Sequence, residues 1–191
     1  MFQVRLATPA DLPLILRMID EAAEWLRTQD TDQWATPWPS REERDARIVR
    51  GLLSARTWIA EDYQVPVGTV TCSPEGDAEL WTPAELREPA AYMSRLIVSR
   101  KFAGTGAGSQ LTDWAGARAR AEYGAQSLRI DVWTTNERLH SYYARHGFRF
   151  LRVCPDPDYP SGALFSKPTI SIPGTAGSLL WEIRPLAAVA A

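Results

Sequence analysis

The sequence predicts a mixed α/β domain of the α+β kind, because strand-like and helix-like hydrophobic patterns follow one another along the chain in a definite order. That order is one strand, two helices, a strand hairpin, a strand, a helix, a strand, a helix and a closing pair of strands. A chain of 191 residues without a Ser/Gly-rich linker is long enough for one domain with its own core. We therefore expect a single domain with a central sheet and about four helices.

The N-terminal part begins with a strand predicted over Phe2–Leu6, where apolar and polar residues alternate. Residues 8–11, Thr-Pro-Ala-Asp, have the types expected of an N-cap, a first helical position and an acidic first turn. Apolar side chains at three- and four-residue steps then predict a helix over residues 12–23. A proline-rich aromatic loop at residues 31–40 separates it from a second helix predicted over residues 41–54.

The middle of the chain predicts a strand hairpin followed by another strand. Residues 57–60 and 67–71 are apolar runs that flank a turn-like segment at residues 62–66. Residues 73–91 are polar, contain prolines and show no clear period. Residues 93–98 are predicted as a strand that leads into a glycine loop.

The last part predicts two helices and three strands. Leu111 begins a set of apolar residues that share one helix face. Residues 128–132 alternate as a strand, and residues 136–147 start with an Asn suited to an N-cap and end with a helix-terminating Gly. Residues 148–153 and 163–166 are the closing strands.

Composition favours a small-molecule partner. The formal net charge of −2 offers no electrostatic footprint for nucleic acid or an anionic membrane. Cys72 and Cys154 lie far apart without CxxC or Cys/His spacing, so we expect neither a disulfide framework nor a metal site. The N-terminal residues lack the pattern of a signal peptide, which predicts a cytoplasmic protein. Arginine strongly outnumbers lysine, found at Lys101 and Lys167 alone, which hints at a bacterial source.

The glycine loop, Ala-Gly-Thr-Gly-Ala-Gly at residues 103–108, is a candidate anion site. Glycines let a ligand approach the backbone, and a helix start presents free N–H groups to an anion such as pyrophosphate. A dinucleotide fingerprint would have a third Gly where Ser109 stands, and a Walker loop would end in Gly-Lys-Ser/Thr. A tight turn without a ligand is the alternative.

This loop and the helix after residue 136 resemble the GNAT superfamily of acyl-CoA-dependent N-acyltransferases. The family's loop pattern, Gln/Arg-x-x-Gly-x-Gly/Ala, is matched at Gly106 and Gly108, whereas Ala103 replaces the usual Arg or Gln. This departure removes one charge-assisted contact to the phosphates, for which Arg100 or Lys101 would have to compensate. The family's helix pattern, Asn-x-x-Ala/Leu-x-x-x-Tyr-x-x-x-Gly-Phe, is matched in full at Asn136, Leu139, Tyr143, Gly147 and Phe148.

The resemblance implies a mixed, mostly antiparallel sheet that splays between two adjacent strands, the one ending at Val98 and the one over residues 128–134. It assigns residues 1–167 to a GNAT-like acyltransferase domain and leaves residues 168–191 as a C-terminal extension. In that extension, residues 179–183 have the pattern of an added strand. The added strand would cover the sheet edge of its own chain or pair with a partner's, which would give a homodimer.

The resemblance also implies how acetyl-CoA is held as co-substrate. The pantetheine arm would pair with the strand backbone in the splay, where one N–H would serve as oxyanion donor, and the pyrophosphate would lie on the glycine loop. The implied cofactor-binding residues are Leu96, Ile97, Val98, Ala103, Gly104, Thr105, Gly106, Ala107, Gly108, Ser109, Asn136 and Tyr143.

Tyr143 resembles the residue that protonates the departing thiolate, although a core aromatic is the alternative reading. The sequence does not assign the base that deprotonates the amine to one residue. Four carboxylates are candidates, and we favour Glu79 over Glu75, Glu88 and Asp131. Each of these is also a candidate for a solvated charge or an ion-pair partner.

Three aromatic residues are the expected substrate contacts. Trp34 and Trp38 belong to the loop between the first two helices, and Tyr159 belongs to the loop before the last predicted strand. In the family these loops border the acceptor pocket, but the same residues could serve as packing anchors.

The predicted activity is N-acetylation, in which the primary amine of a small molecule attacks acetyl-CoA directly. Two alternatives stay open. One is an acyl-CoA-binding module without turnover, suggested by Ala103 and by the lack of an obvious base. The other is acetylation of a protein or peptide amine, which would require a wide cleft.

Overall fold

The computed structural model describes residues 2–172 and 180–183 of the chain. Its elements follow the predicted order, with one additional short helix between the hairpin and the next strand. The strands are β1 (Phe2–Leu6), β2 (Thr57–Asp62), β3 (Val65–Ser73), β4 (Ala90–Val98), β5 (Ser127–Val132), β6 (Arg149–Val153), β7 (Ala163–Pro168) and β8 (Leu180–Ile183). The helices are α1 (Leu12–Leu26), α2 (Arg41–Leu53), α3 (Pro83–Leu86), α4 (Ala107–Tyr123) and α5 (Glu137–Arg145).

The sheet is mixed and mostly antiparallel, which confirms the prediction. In the described residues its strand order is β6-β7-β5-β4-β3-β2-β1-β8. The pairs β4–β5 and β1–β8 are parallel, and the other neighbours are antiparallel. Because parallel neighbours need a long crossover, the chain returns from the end of β4 to the start of β5 through α4.

β4 contains a bulge in its second half. Its pairing with β3 skips a position, and Arg95 has a left-handed φ of 50°. An extra residue reverses which side chains face which side of a sheet. Met93 packs towards α4 before the bulge, Leu96 and Val98 do so after it, and Ile97 joins the core on the opposite face.

The predicted splay lies between β4 and β5. Their pairing runs from Ala90 opposite Ser127 to Met93 opposite Ile130 and ends there. In the described sheet, residues 94–98 therefore have no partner strand on the β5 side. Their backbone groups on that side are available to a ligand.

Two apolar cores hold the helices against the sheet. On one face, Leu111 and Trp114 of α4 pack on the strands, and the Trp114 ring lies edge-on to Trp58 at 5.2 Å between centroids. On the other face, α1 and α2 cover Ile59 and Ile97. Burying one large aliphatic side chain contributes about 1.5–3 kcal/mol, so β4 is firmly fixed between the two layers.

The predicted helix start at residues 8–11 is a separate turn of 3₁₀ helix, Pro9–Asp11, and α1 follows it at Leu12. The Asp11 carboxylate accepts a hydrogen bond from the Thr8 backbone N–H at 2.8 Å. Arg5 donates hydrogen bonds to both Asp11 and Glu61. The hydrogen bond between Arg5 and Asp11 lowers the pKa of Asp11 to about 2. These contacts join β1, the 3₁₀ turn before α1, and β2.

The segment without a clear pattern contains α3 and the first residues of β4. Thr82 and Glu85 form a capping box around this short helix, and Arg152 of β6 donates to the Glu85 carboxylate at 2.6 Å. β4 begins at Ala90, three residues before the predicted start at residue 93. A four-residue helix is too short to show a helical period, so the sequence did not reveal it.

The residues that follow β7 continue to pack on the same sheet. Thr169 donates to the Ala125 carbonyl at 2.7 Å. A side chain at Gly116 of α4 would place its Cβ 2.1 Å from Ile172 Cδ1, so a larger residue there would require the Ile172 side chain to move. β8 pairs with β1 of the same chain, whereas Leu179 of the predicted strand lies outside the described residues. The domain division at residues 167 and 168 stays a prediction.

Among the helices that the structure describes, none is both long and apolar enough to span a bilayer.

Candidate active site

A cavity of about 630 Å³ follows the splay between β4 and β5. It is bounded by these strands, by the loop between α1 and α2, by α5 and by the loop between β6 and β7. Most of the predicted catalytic, pantetheine and substrate residues line it: Trp34, Trp38, Leu96, Ile97, Val98, Asn136, Tyr143 and Tyr159.

Tyr143 lies in the wall of the cavity, on α5. Its side chain is 8% exposed, and its ring packs edge-on against Phe148 at 5.4 Å. Burial raises the pKa of Tyr143, and the neighbouring Tyr142 and Asp131 raise it further. The hydroxyl has no hydrogen-bond partner among residues 2–172 and 180–183. Tyr143 therefore keeps its proton at neutral pH and can donate it to a group in the cavity.

Asn136 fixes the start of α5 and holds a loop beside it. Its side-chain oxygen accepts from the Leu139 N–H at 3.0 Å, which is the predicted N-cap contact. Its amide nitrogen donates to the Gln33 side chain at 2.7 Å. The same loop is held by Asp32, whose carboxylate accepts from Trp133 Nε1 at 2.9 Å and from the Thr135 hydroxyl. Asn136 thus positions both the helix of Tyr143 and the loop that covers the cavity.

The glycine loop lies outside the cavity lining, at the exposed start of α4. Gly104 and Gly106 have left-handed φ values of 79° and 82°, which glycine adopts without strain. Within the described part of the chain, no acceptor is found for the backbone N–H groups of Gly104, Gly106, Ala107, Gly108 and Ser109. Five donors at a helix N-terminus suit a pyrophosphate.

Gly108 joins this loop to the cavity wall. A side chain there would place its Cβ 2.9 Å from the Tyr142 hydroxyl oxygen and 3.6 Å from Val98 Cγ2. Both Tyr142 and Val98 line the cavity. Tyr142 stands between the glycine loop and Tyr143, because its ring centroid also lies 5.3 Å from that of Tyr143. A ligand that spans the loop and the splay would pass beside it.

The positively charged side chain of Arg100 lies at the end of the cavity next to Tyr142 and Val98. Arg100 lines the cavity, and its guanidinium carbon lies 4.0 Å above the centre of the Trp25 ring. This stacking holds a positive charge near the splay. Lys101 lies over the Phe102 ring and does not line the cavity. The free N–H groups, the splay and the positive charge of Arg100 at the edge of the cavity together fit coenzyme A.

Glu79, the favoured base, is exposed and is not part of the cavity lining. Its backbone N–H donates to Asp77 Oδ1 at 2.9 Å, in a turn that directs the Glu79 side chain to solvent. Glu88 forms an ion pair with Arg129. Glu75 lines the cavity but is exposed. None of these three carboxylates lies deep in the cavity.

Asp131 is the carboxylate that the structure places deep in the cavity. It lies near the end of β5, where the Ser161 hydroxyl donates to its Oδ2 at 2.9 Å. Burial raises the pKa of Asp131, whereas the hydrogen bond from Ser161 and the positive charge of Arg95 oppose this shift. A carboxylate with a raised pKa is a better proton acceptor at neutral pH than an ordinary one.

Two of the predicted substrate residues meet at the far end of the cavity. The rings of Trp38 and Tyr159 pack with their centroids 4.5 Å apart, and the Tyr159 hydroxyl donates to Asp77 Oδ2 at 3.1 Å. Trp34 lines the same cavity and also packs against the core beneath α1 and α2. These aromatic side chains form walls, and they anchor loops as well.

Sequence reasoning missed two arginines at this end. Arg95 comes from the bulge of β4 and Arg47 comes from α2, and both line the cavity. Arg47 donates to the Trp38 carbonyl, and its guanidinium carbon lies 5.2 Å from the centre of the Trp38 ring. The available signal was a charged residue within the apolar run at residues 93–98. Among the described residues, no cluster of side chains suits a metal ion.

A model of a known protein family matches this chain over more than half of its length. The family is described as the acetyltransferase (GNAT) family, and the match covers residues 19–148. This range includes the glycine loop, β4, β5 and α5.

Individual relatives agree with this match. The uncharacterized N-acetyltransferase YesJ of Bacillus subtilis (strain 168) is 28% identical over 144 residues, which make up 74% of this chain and 78% of YesJ. A GNAT-family acetyltransferase from Listeria monocytogenes 4b F2365 superposes with a TM-score of 0.68 at 23% identity, covering 87% of this chain and 94% of its own. The PaiA N-acetyltransferase of Thermoplasma acidophilum, solved with coenzyme A, superposes with a TM-score of 0.65 at 15% identity, covering 88% and 99%.

Proposed function

Because the chain belongs to the GNAT family of acetyltransferases, with acetyl-CoA as co-substrate, we propose that it acetylates the primary amine of a small molecule by direct attack. One observation carries this proposal. A single cavity joins the buried hydroxyl of Tyr143 to an aromatic-walled end that contains Asp131. An amine in that end would face the splay in which the donor lies.

The donor end of the cavity would hold the co-substrate mainly through backbone groups. The free N–H groups that begin at Gly104 and end at Ser109 would bind the pyrophosphate, and the open edge of Leu96–Val98 would pair with the pantetheine arm. Arg100 would add a charge near the phosphates. Acetyl-CoA supplies an acetyl group that its thioester bond activates for transfer.

Asp131 and Tyr143 would divide the proton transfers between them. Asp131, in place of Glu79, would accept the proton that the amine loses as its nitrogen bonds to the acetyl carbon. Tyr143 would donate its proton to the sulfur as the carbon–sulfur bond breaks. The raised pKa values of both groups suit these roles, since one must be basic and the other protonated at neutral pH.

The acceptor end favours a small molecule over a protein amine. Trp38 and Tyr159 close it by packing against each other, and Asp32 ties the covering loop to Trp133 and Thr135. A peptide would need both contacts to open. A cytoplasmic location, a bacterial source and a homodimer remain proposals from the sequence.

The test is release of coenzyme A thiol from acetyl-CoA in the presence of small primary amines and, separately, of peptides with a free amino terminus or a lysine. We expect thiol release with at least one small amine and none with the peptides. Release with the peptides alone would make the protein-acetylating alternative correct. Protection by acetyl-CoA against heating, with no thiol released by any amine, would leave a binding module.

A further inference from the structure

We infer that the acceptor amine also carries an oxoanion, in the first place a carboxylate, which Arg95 and Arg47 bind. The substrate class is thus an amino acid or a similar compound with an amine and a carboxylate close together. This inference rests on the proposed function and specifies the substrate of the same site.

The guanidinium of Arg95 lies in the cavity without a partner in the described part of the chain. Arg95 lines the cavity from the bulge of β4, and its guanidinium forms no hydrogen bond or ion pair with any residue in the ranges 2–172 and 180–183. A guanidinium presents five N–H donors in a planar fork that matches a carboxylate. The Arg95 φ of 50° lies in the left-handed region, which is unfavourable for a residue other than glycine. A strained backbone that directs unused donors into a cavity is typical of a binding site.

Arg47 places a second, partly unsatisfied guanidinium in the same cavity. Its Nε is buried and has no partner in the described structure, while another of its nitrogens donates to the Trp38 carbonyl. Arg47 and Arg95 line the same cavity and repel each other: burial lowers the pKa of Arg95, and the charges of Arg47 and Arg50 lower it further. An anion between the two guanidinium groups would relieve the repulsion and satisfy their donors.

The other charged groups that the structure describes around Arg95 do not form an ion pair with its guanidinium. Asp131 and Tyr159 are the groups that favour its charged form. Asp131 accepts from Ser161 and is not in ion-pair contact with Arg95, and Tyr159 donates to Asp77. Arg44 also lines the cavity, but its guanidinium already contacts Asp45 and Asp20.

The placement of Arg95 and Asp131 fits the two ends of an amino acid. The two side chains face one cavity from β4 and β5, on either side of the splay, without touching each other. A carboxylate at Arg95 and an amine at Asp131 would place the amine at the proposed proton acceptor. The same two contacts would bind and orient the substrate.

The experiment compares matched acceptors with the full-length protein and acetyl-CoA. Each of several amino acids is paired with its amide and with its decarboxylated amine, and aminoalkylphosphonates are tested as a second oxoanion. Charge-assisted hydrogen bonds of this kind typically change kcat/KM by about 10- to 100-fold. We expect the carboxylate compound of a pair to be preferred by that factor. A preference for the phosphonates would identify a different oxoanion and overturn the carboxylate assignment.

Variants of the three arginines test whether Arg95 is the residue that binds the carboxylate of the acceptor. Arg95→Met should raise KM for the amino acid at least about tenfold and leave kcat/KM for the decarboxylated amine within about threefold, so that the preference disappears. Arg47→Met should reduce the preference in part. Arg44→Met removes the same charge from the same cavity but should keep the preference. If Arg95→Met does not fold, Arg95→Lys, which keeps the charge and loses the fork, should still weaken the preference.

The outcomes separate the two proposals. Acetylation of small amines without any preference for a carboxylate would overturn the inference and leave the proposed function standing. Equal effects of Arg95→Met and Arg44→Met would also overturn it. If none of the amines causes thiol release, the proposed function and the inference are both overturned.

Discussion

The two ends of the cavity are built in different ways. The donor end consists of consecutive backbone groups: the N–H groups at the start of α4, the open edge of Leu96–Val98, and one helix with the Asn136 cap. The acceptor end consists of side chains from separate segments, with Arg47 from α2, Arg95 from β4, and others from β5 and the loop before β7. A backbone site can keep its chemistry while side chains vary, whereas a site of assembled side chains can change its ligand through single substitutions.

The sharpest test of the donor end is the Tyr143 hydroxyl. Tyr143→Phe should lower kcat by about 10³-fold, since general acid catalysis is typically worth 10²- to 10⁴-fold, and should leave acetyl-CoA affinity unchanged. Tyr142→Phe, whose ring lies 5.3 Å away, is the control and should stay within about threefold. Steady-state kinetics with calorimetric binding would check both. Unchanged turnover of Tyr143→Phe would reduce this residue to a core aromatic.

At the acceptor end, Asp131→Asn should lower kcat/KM by about 10²-fold. In the native protein, activity should rise with pH through the raised pKa of Asp131, because the carboxylate is the active form. The Asn variant should lose this limb of the pH–rate profile. Glu79→Gln is the control and should behave like the native protein. A large loss in the Glu79 variant, with Asp131→Asn active, would restore the original assignment.

Asp131→Asn should lower activity but should increase the stability of the folded protein. Because burial raises the pKa of Asp131, the folded state favours the neutral acid, and ionisation costs folding free energy. The cost is absent below the unfolded-state pKa, grows as the pH rises towards the folded-state pKa, and is complete above it. Asp131→Asn should therefore increase the free energy of unfolding by about 1 kcal/mol at neutral pH, and the gain should shrink as the pH falls. Urea titrations at several pH values would measure this.

Gly106→Ala tests whether the donor end depends on the backbone. The residue has a φ of 82°, so a methyl group there strains the backbone of the loop, and its Cβ would lie 3.6 Å from Gln110 Nε2 and 3.9 Å from Ser109 Oγ. Acetyl-CoA affinity should fall by about tenfold by calorimetry. Gly124→Ala, with a φ of 62° at the other end of α4, is a matched control for strain and should bind normally. Equal losses in both variants would indicate a general effect on the helix.

The smallest effect is expected at the loop that covers the acceptor end. Hydrogen bonds from Thr135 and Trp133 lower the pKa of Asp32, so this carboxylate keeps the loop tied at all pH values above that lowered pKa. Asp32→Ala should raise KM for the amine by about threefold and leave acetyl-CoA affinity unchanged, because the contact is exposed. Asp30→Ala, in the same loop, is the control. A matching loss of acetyl-CoA affinity would mean that the loop serves both ends.

The sequence allowed more to be predicted about the donor end than about the acceptor end. Residues 136–148 carry the Asn cap, the Tyr and the terminal Gly at separations that one helix imposes, and the structure has that helix with Gly147 at a φ of 84°. For the base, the favoured Glu79 came from a segment without a clear period, and the structure turns it to solvent. Asp131 stayed one candidate among several, because alternation along β5 shows which residues share a face but not what lies opposite.

Local patterns in the amino-acid sequence were sufficient for the order of elements, the glycine loop and the motifs that resemble the GNAT family, whereas the splay of the sheet was expected from that resemblance alone. The elements, the loop and the motifs follow from short-range periodicity, from turn chemistry or from motif spacing, all of which act over a few residues. The acceptor end required folding in three dimensions. Arg47, Arg95 and Asp131 are far apart in the chain, and Arg95 reaches the cavity because one extra residue in β4 reverses the strand's alternation. The register between neighbouring strands decides such a bulge, and the pattern of a single strand does not contain it.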